Sequence, residues 1–112
     1  MTRGVSALPD TMKYSIVVPA HNEERYLPAC LGALRRAAEA SRAECEFIVV
    51  LNRCTDATER LALEHGARIV REDRRCLAAI RNAGARAATG EVIVTVDADS
   101  VVSENVFAEI ER

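Results

Sequence analysis

Two aspartates one residue apart, in the run Val96-Asp97-Ala98-Asp99-Ser100, are the side chains of this 112-residue chain best suited to a hard cation. On an extended segment positions i and i+2 project to one side, so both carboxylates could approach one magnesium or manganese ion. Such an ion shares its other positions with phosphate and water, which suits neutralisation of a diphosphate leaving group. The plainer reading is a pair of acids that ends a strand and caps a turn. A second group, Pro19-Ala20-His21-Asn22-Glu23-Glu24, follows the first apolar run. There Pro19 would end strand pairing, and the polar side chains and helix-start amides could hold a base, a ribose or a phosphate. The same residues also read as an N-cap by Asn22 followed by acids at a helix start, with His21 an ordinary loop histidine. A third group, Asn52-Arg53-Cys54-Thr55-Asp56, either offers hydrogen bonds to a base edge or forms a capped turn. Cys54 has no assignable partner for nucleophilic chemistry.

These groups need a scaffold that brings separate strand ends together. Lys13 to Val18 is a short β-branched run before Pro19 and reads as a buried strand. Leu27, Leu31 and Leu34, continued by Ala37 and Ala38, give a helix from about Glu24 to Ala40. Phe47 to Leu51 is a second buried strand. Asp56 and Glu59 resemble a capping box and Gly66 suits a C′ position, so a short helix fits between them. Arg68 to Val70 is a weak third strand. Leu77, Ile80, Gly84 and Ala87 line one face of a third helix stopped by Gly90, and Val92 to Val96 is a fourth strand. Ser103 could cap a last helix carrying Phe107 and Ile110. Residues 1–12 lack periodicity and read as a flexible N-terminal arm, leaving 13–112 as one domain. Alternating strands and helices predict an α/β fold, a mostly parallel sheet of about four strands with helices on both faces. Such sheets bind ligands beyond the carboxyl ends of their strands, where strand order reverses. All three polar groups fall at such ends.

Composition narrows the partners. Lys plus Arg number 15 against 17 Asp plus Glu, a net charge of -2, which argues against nucleic acid. With 49% apolar and 29% charged residues the chain is globular in type. No apolar stretch is long enough to cross a bilayer and no secretory pattern opens the chain, so a cytoplasmic location is expected. Cys30, Cys45, Cys54 and Cys76 form no Cys-x-x-Cys pair, and His21 and His65 lie at no zinc-finger spacing from them. Four reduced thiols are expected, Cys30 being a small core residue.

Taken together the segments resemble the inverting family 2 glycosyltransferases, which have the GT-A fold. Val17-Val18-Pro19-Ala20-His21-Asn22-Glu23-Glu24 is similar to the family's opening strand and loop, and Val49 to Thr58 to its second-strand motif. Arg81-Asn82-Ala83-Gly84 resembles the Arg-Asn-x-Gly segment before the fourth strand, and Asp97-Ala98-Asp99 stands where the family has its DxD motif. The resemblance covers Ser15 to Ser103 and implies a UDP- or GDP-sugar donor with Mn2+ or Mg2+ bridging its phosphates. By that resemblance Pro19, His21, Asn22, Glu23 and Asn52 would hold the nucleoside, and Arg81 would help place the diphosphate. Asp97 would sit near the ribose or a metal-bound water, and Asp99 would ligate the metal. Arg81 also reads as a solvated helix arginine.

Two departures qualify that picture. The family usually has an acid at one or both positions held here by Leu51 and Asn52. Asn52 can still donate and accept at a base edge, whereas Leu51 cannot, so the base stays open. The family's catalytic base and acceptor site also lie beyond the DxD strand, and here only Val101 to Arg112 follow. The chain is therefore expected to be the donor-binding part of a longer enzyme, inactive alone, whose full-length form could attach to a membrane.

Competing readings differ in kind. One is a non-catalytic nucleotide-sugar-binding module. Another is a haloacid-dehalogenase-type phosphatase with Asp97 as nucleophile, but that motif normally opens its domain and needs a later lysine, while Lys13 is the sole lysine. A dinucleotide-binding dehydrogenase is excluded by the lack of Gly-x-Gly-x-x-Gly after the first strand.

Overall fold

A computed structural model describes residues 13–110. The expected N-terminal arm, residues 1–12, lies outside the described residues. The elements in chain order are β1 (Lys13–Ala20), α1 (Leu27–Ser41), β2 (Glu44–Leu51), α2 (Thr58–Glu64), β3 (Arg68–Arg71), α3 (Leu77–Ala87), β4 (Val92–Thr95) and α4 (Val106–Ile110). Among the described residues the four strands form one sheet in the order β3-β2-β1-β4, and every neighbouring pair is parallel. The chain steps outward in one direction from β1 to β3, then crosses back to place β4 on the other side of β1. With right-handed crossovers, that reversal requires α3 to lie on the opposite face from α1 and α2.

Packing follows the two-residue period of the strands. Tyr14, Ile16, Val18 and Ala20 of β1, with Phe47, Val49 and Leu51 of β2, join Leu27, Leu31 and Leu34 of α1 in the larger core. Ala62 of α2 and Phe107 of α4 belong to the same layer. The alternate residues Val17, Ile48 and Val50 meet Ile80 and Ala83 of α3 on the other face. Both faces of β1 and β2 are therefore dry, which is why these strands read as unbroken apolar runs. Each fully buried leucine contributes about 1.5–3 kcal/mol relative to exposure.

Helix boundaries depart from the periodicity in instructive places. Helix α1 begins at Leu27, with Pro28 in its first turn, rather than near Glu24. Leu77 of α3 is 52% exposed, and the buried face consists of Ala79, Ile80, Ala83 and Gly84. Gly66, at φ 78°, ends α2 as expected: its N–H donates to Leu63 O and that of Ala67 to Ala62 O. The capping box does not form, because Glu59 pairs instead with Arg71 on β3. All four cysteines are free thiols. Among the described residues no helix is long and apolar enough to cross a membrane.

Candidate functional site

Strand order reverses between β1 and β4, so the crevice beyond their carboxyl ends is where an open parallel sheet takes a ligand. Pro19 opens that crevice. It does not end β1, which continues to Ala20 in register with Leu51. Val96 N–H donates to Val17 O at 2.9 Å, and β1 pairs with β4 no further than Val17 opposite Thr95. The next rung would need an N–H from residue 19, which proline lacks, so the two strands part there.

Beyond the parting stand the two aspartates. They do not lie on an extended segment, as their spacing alone suggested: Ser100 N–H donates to Asp97 O at 3.0 Å and closes a turn. Ala98, 3% exposed, plugs into the core and leaves Asp97 and Asp99 exposed on either side of it. The Cys30 thiol on α1 donates to Asp97 O at 3.6 Å from below. Burial, then Asp99 and Asp97, push that thiol up to about 11, so it stays protonated and supports the turn. Glu23 of the first loop titrates above its ordinary value, through partial burial and then the charges of Asp99, Asp56 and Asp97, with His21 opposing. Glu23, Asp97 and Asp99 thus share one electrostatic environment. Among the described residues no three His, Cys, Asp or Glu side chains form a metal-holding group by themselves.

The first loop is fastened to the second. Asn22, left-handed at φ 52°, accepts from the N–H of Thr55 at 2.7 Å and of Asp56 at 3.3 Å. In return Thr58 Oγ1 accepts from Glu23 N–H at 2.8 Å, and Asp56 Oδ2 from Glu24 N–H at 3.2 Å. Glu24 Oε1 accepts from Ala57 N–H at 2.9 Å. His21 Nδ1 donates to Asn52 O at 2.7 Å, leaving Nε2 as the ring's outer nitrogen. The amides of Glu23 and Glu24 that a phosphate could have used are therefore committed. Asp56, Thr58 and Glu24, which do this fastening, lie in the two segments that resemble the family, but by residue type alone they signal no more than capping.

Asn52 is 2% exposed, and its amide group faces inward. Nδ2 donates to Glu72 O and, at 2.8 Å, to Arg74 O, while Oδ1 accepts from Arg53 Nε at 2.9 Å. The side chain anticipated at a base edge thus holds the loop after β3 against the loop after β2. Beside it lies a cavity of about 440 Å³ lined by Leu51, Arg53, Cys54, Thr55, Arg71 and Asp73. Its lining includes neither Asp97 nor Asp99. Arg71 and Asp73 were not singled out from the sequence, since their approach depends on β3 pairing with β2. Arg81 is exposed on α3, one turn into a helix that starts at this end of the sheet.

The family model for glycosyl transferase family 2 matches residues 15–110. An uncharacterised glycosyltransferase of Mycobacterium tuberculosis is 38% identical over 85 residues, 76% of this chain and 36% of that protein. Crystal structures of Staphylococcus aureus TarS residues 1–349 (TM-score 0.76, 23% identity, 89% of this chain and 31% of that one) share the fold. So does glucosyl-3-phosphoglycerate synthase of M. tuberculosis in complex with Mn2+, UDP and glucosyl-3-phosphoglycerate (TM-score 0.72, 23% identity, 87% and 37%). The chain thus spans about a third of the length of the relatives it matches. The four parallel strands and flanking helices of the described residues match the nucleotide-binding half of the GT-A fold. A match running through all four motifs also removes the case for Asp97 as a phosphatase nucleophile. From the opening strand to the last described helix, this chain belongs to glycosyltransferase family 2.

Proposed function

We propose that the chain is the donor-binding part of an inverting glycosyltransferase that takes a nucleotide-diphosphate sugar with Mn2+ or Mg2+. The observation that carries this reading is the position of two exposed carboxylates, Asp97 and Asp99, just past the carboxyl end of β4 at the switch point of the sheet. The donor chemistry fits a divalent ion: two exposed carboxylates offer hard oxygen and leave coordination positions for phosphate and water. Asp99 is assigned as the direct ligand, and Asp97 to the ribose or a metal-bound water. A cation held there would supply charge neutralisation as the diphosphate leaves. The first loop cannot supply it from Glu23 and Glu24, whose amides serve the second loop, so Arg81 is the assigned protein cation. The cavity beside the second loop would take the base, with Pro19, His21, Asn22 and Asn52 shaping its approach. Uridine is supported by the related synthase, whose crystals contain UDP and Mn2+. The acceptor site and catalytic base are assigned to the part of the relatives that this chain does not span.

Calorimetric titration with UDP-glucose and GDP-mannose, each with and without Mn2+, tests the reading. Metal-dependent binding of at least one donor is expected, weakened about tenfold or more by Asp97→Ala with Asp99→Ala. Equal affinity in the double variant would refute the metal assignment. No sugar transfer is expected from this chain alone, and turnover would place a base among residues not assigned one.

A further inference from the structure

The first and second loops exchange hydrogen bonds in both directions, and Asn22 is the point on which the exchange turns. Its Oδ1 is the acceptor for two successive amides of the second loop, Thr55 at 2.7 Å and Asp56 at 3.3 Å. Those amides precede α2, where a backbone without partners must find water or a side chain. The accepted Asp56 then holds Glu24 N–H through Oδ2 and Thr58 N–H through Oδ1 at 2.9 Å. Thr58 in turn holds Glu23 N–H. Under the loops, the Cys54 thiol donates to Ala20 O at 3.3 Å. Only a residue that tolerates φ near 52° and offers a short acceptor can stand at position 22, and asparagine meets both needs.

We infer that Asn22 is a positioning residue: it shapes the donor site by locking the second loop to the first, and its side chain does not contact the donor. The inference deepens the donor-binding reading and rests on it, because the site it shapes is the one assigned to the nucleoside. Locked in this way, the loops carry Glu23 and the wall formed by Thr55 as one body. The effect of Asn22 on affinity then runs through its carbonyl oxygen alone. Its Nδ2 donor is dispensable.

Two variants separate oxygen from nitrogen. Asn22→Gly keeps the left-handed backbone and removes the acceptor, while Asn22→Asp keeps the acceptor and removes the donor. Amide hydrogen exchange by NMR reads the lock directly, and titration with uridine, which carries no charge to respond to a new carboxylate, reads the site. In Asn22→Gly the Thr55 and Asp56 amides should exchange about tenfold faster, with Ile48 in β2 unchanged, and uridine should bind several-fold more weakly. In Asn22→Asp both should return close to wild type. Unchanged exchange at Thr55 and Asp56 in Asn22→Gly would overturn the lock. Weakened uridine binding in Asn22→Asp with protection retained would also overturn the inference, by showing that Nδ2 touches the ligand. If wild-type protein binds no uridine, the nucleoside assignment fails, while the exchange rates still decide whether the lock exists.

Discussion

Gly84 shows how a single missing side chain sets the distance between two layers. A Cβ at this position would overlap Val17 of β1 and lie 3.0 Å from Val50 Cγ2 of β2. Glycine therefore lets α3 rest directly on the sheet, and Ile80 and Ala83 fill the space on either side. This is a packing reason for the glycine in the Arg-Asn-x-Gly segment, separate from any part Arg81 has with a ligand. Gly84→Ala must push α3 outward or distort two core valines. It should destabilise by about 1–3 kcal/mol despite the better helix propensity of alanine, as urea unfolding would measure. A neutral or stabilising result would mean that α3 shifts freely over the sheet, and the positions assigned to residues on it would lose their footing.

At the scale of elements, the end of the sheet away from the site is tied by one carboxylate. Glu46 at the start of β2 accepts from Ser15 Oγ of β1, from Thr89 N–H at 2.6 Å and from Arg68 at 2.6 Å. Gly90 N–H donates to Ser15 Oγ at 2.8 Å, which seats the α3–β4 connection against β1. Burial alone would raise the Glu46 carboxyl, but these hydrogen bonds outweigh it and hold it at about 2. Because the folded value lies below the ordinary 4.5, the contribution to stability is complete above that value and is lost as pH falls from about 4.5 towards about 2. Glu46→Gln should lower the melting temperature at pH 7, and the gap from wild type should narrow through that window. A gap that stays constant with pH would show that the carboxylate charge contributes nothing. Such ties also explain what the sequence could and could not disclose. Strands β1 and β2 were legible because their two dry faces demand contiguous apolar residues, and Asp97 with Asp99 stood out because a short apolar strand ends just before them. The start of α1 at Leu27 follows from Pro28, which has no N–H for a helical bond to Glu24 O, whereas the tie of the Glu23 and Glu24 amides to Thr58 and Asp56 was hidden because those partners lie more than thirty residues away. The inward turn of Asn52 was hidden likewise, because its partners are carbonyls of the loop after β3.

For the molecule as a whole, the sheet is covered unevenly, and the uneven part adjoins the site. Helix α3 packs on β1, β2 and β3, while β4 has a partner strand on one side only among the described residues. Val92 and Val94 of β4 face the large core with Tyr14 and Ile16. Ile93 and Thr95 share the opposite face with Ser15 and Val17, and Ile93 is 48% exposed there. Among the described residues the outer edge of β4 is unpaired, and an unpaired edge beside the exposed Ile93 favours pairing between chains. The chain should therefore associate with itself as its concentration rises, visible as an increasing weight-average mass in sedimentation equilibrium. Ile93→Lys, which places a charge on that face and leaves the packed valines alone, should hold the mass near 12.2 kDa and change unfolding stability by no more than about 0.5 kcal/mol. Donor binding, which depends on loops at the carboxyl ends and not on this face, should be unaltered. Self-association that persists in Ile93→Lys would place the contact elsewhere, and a large loss of stability would show that Ile93 packs within the folded chain.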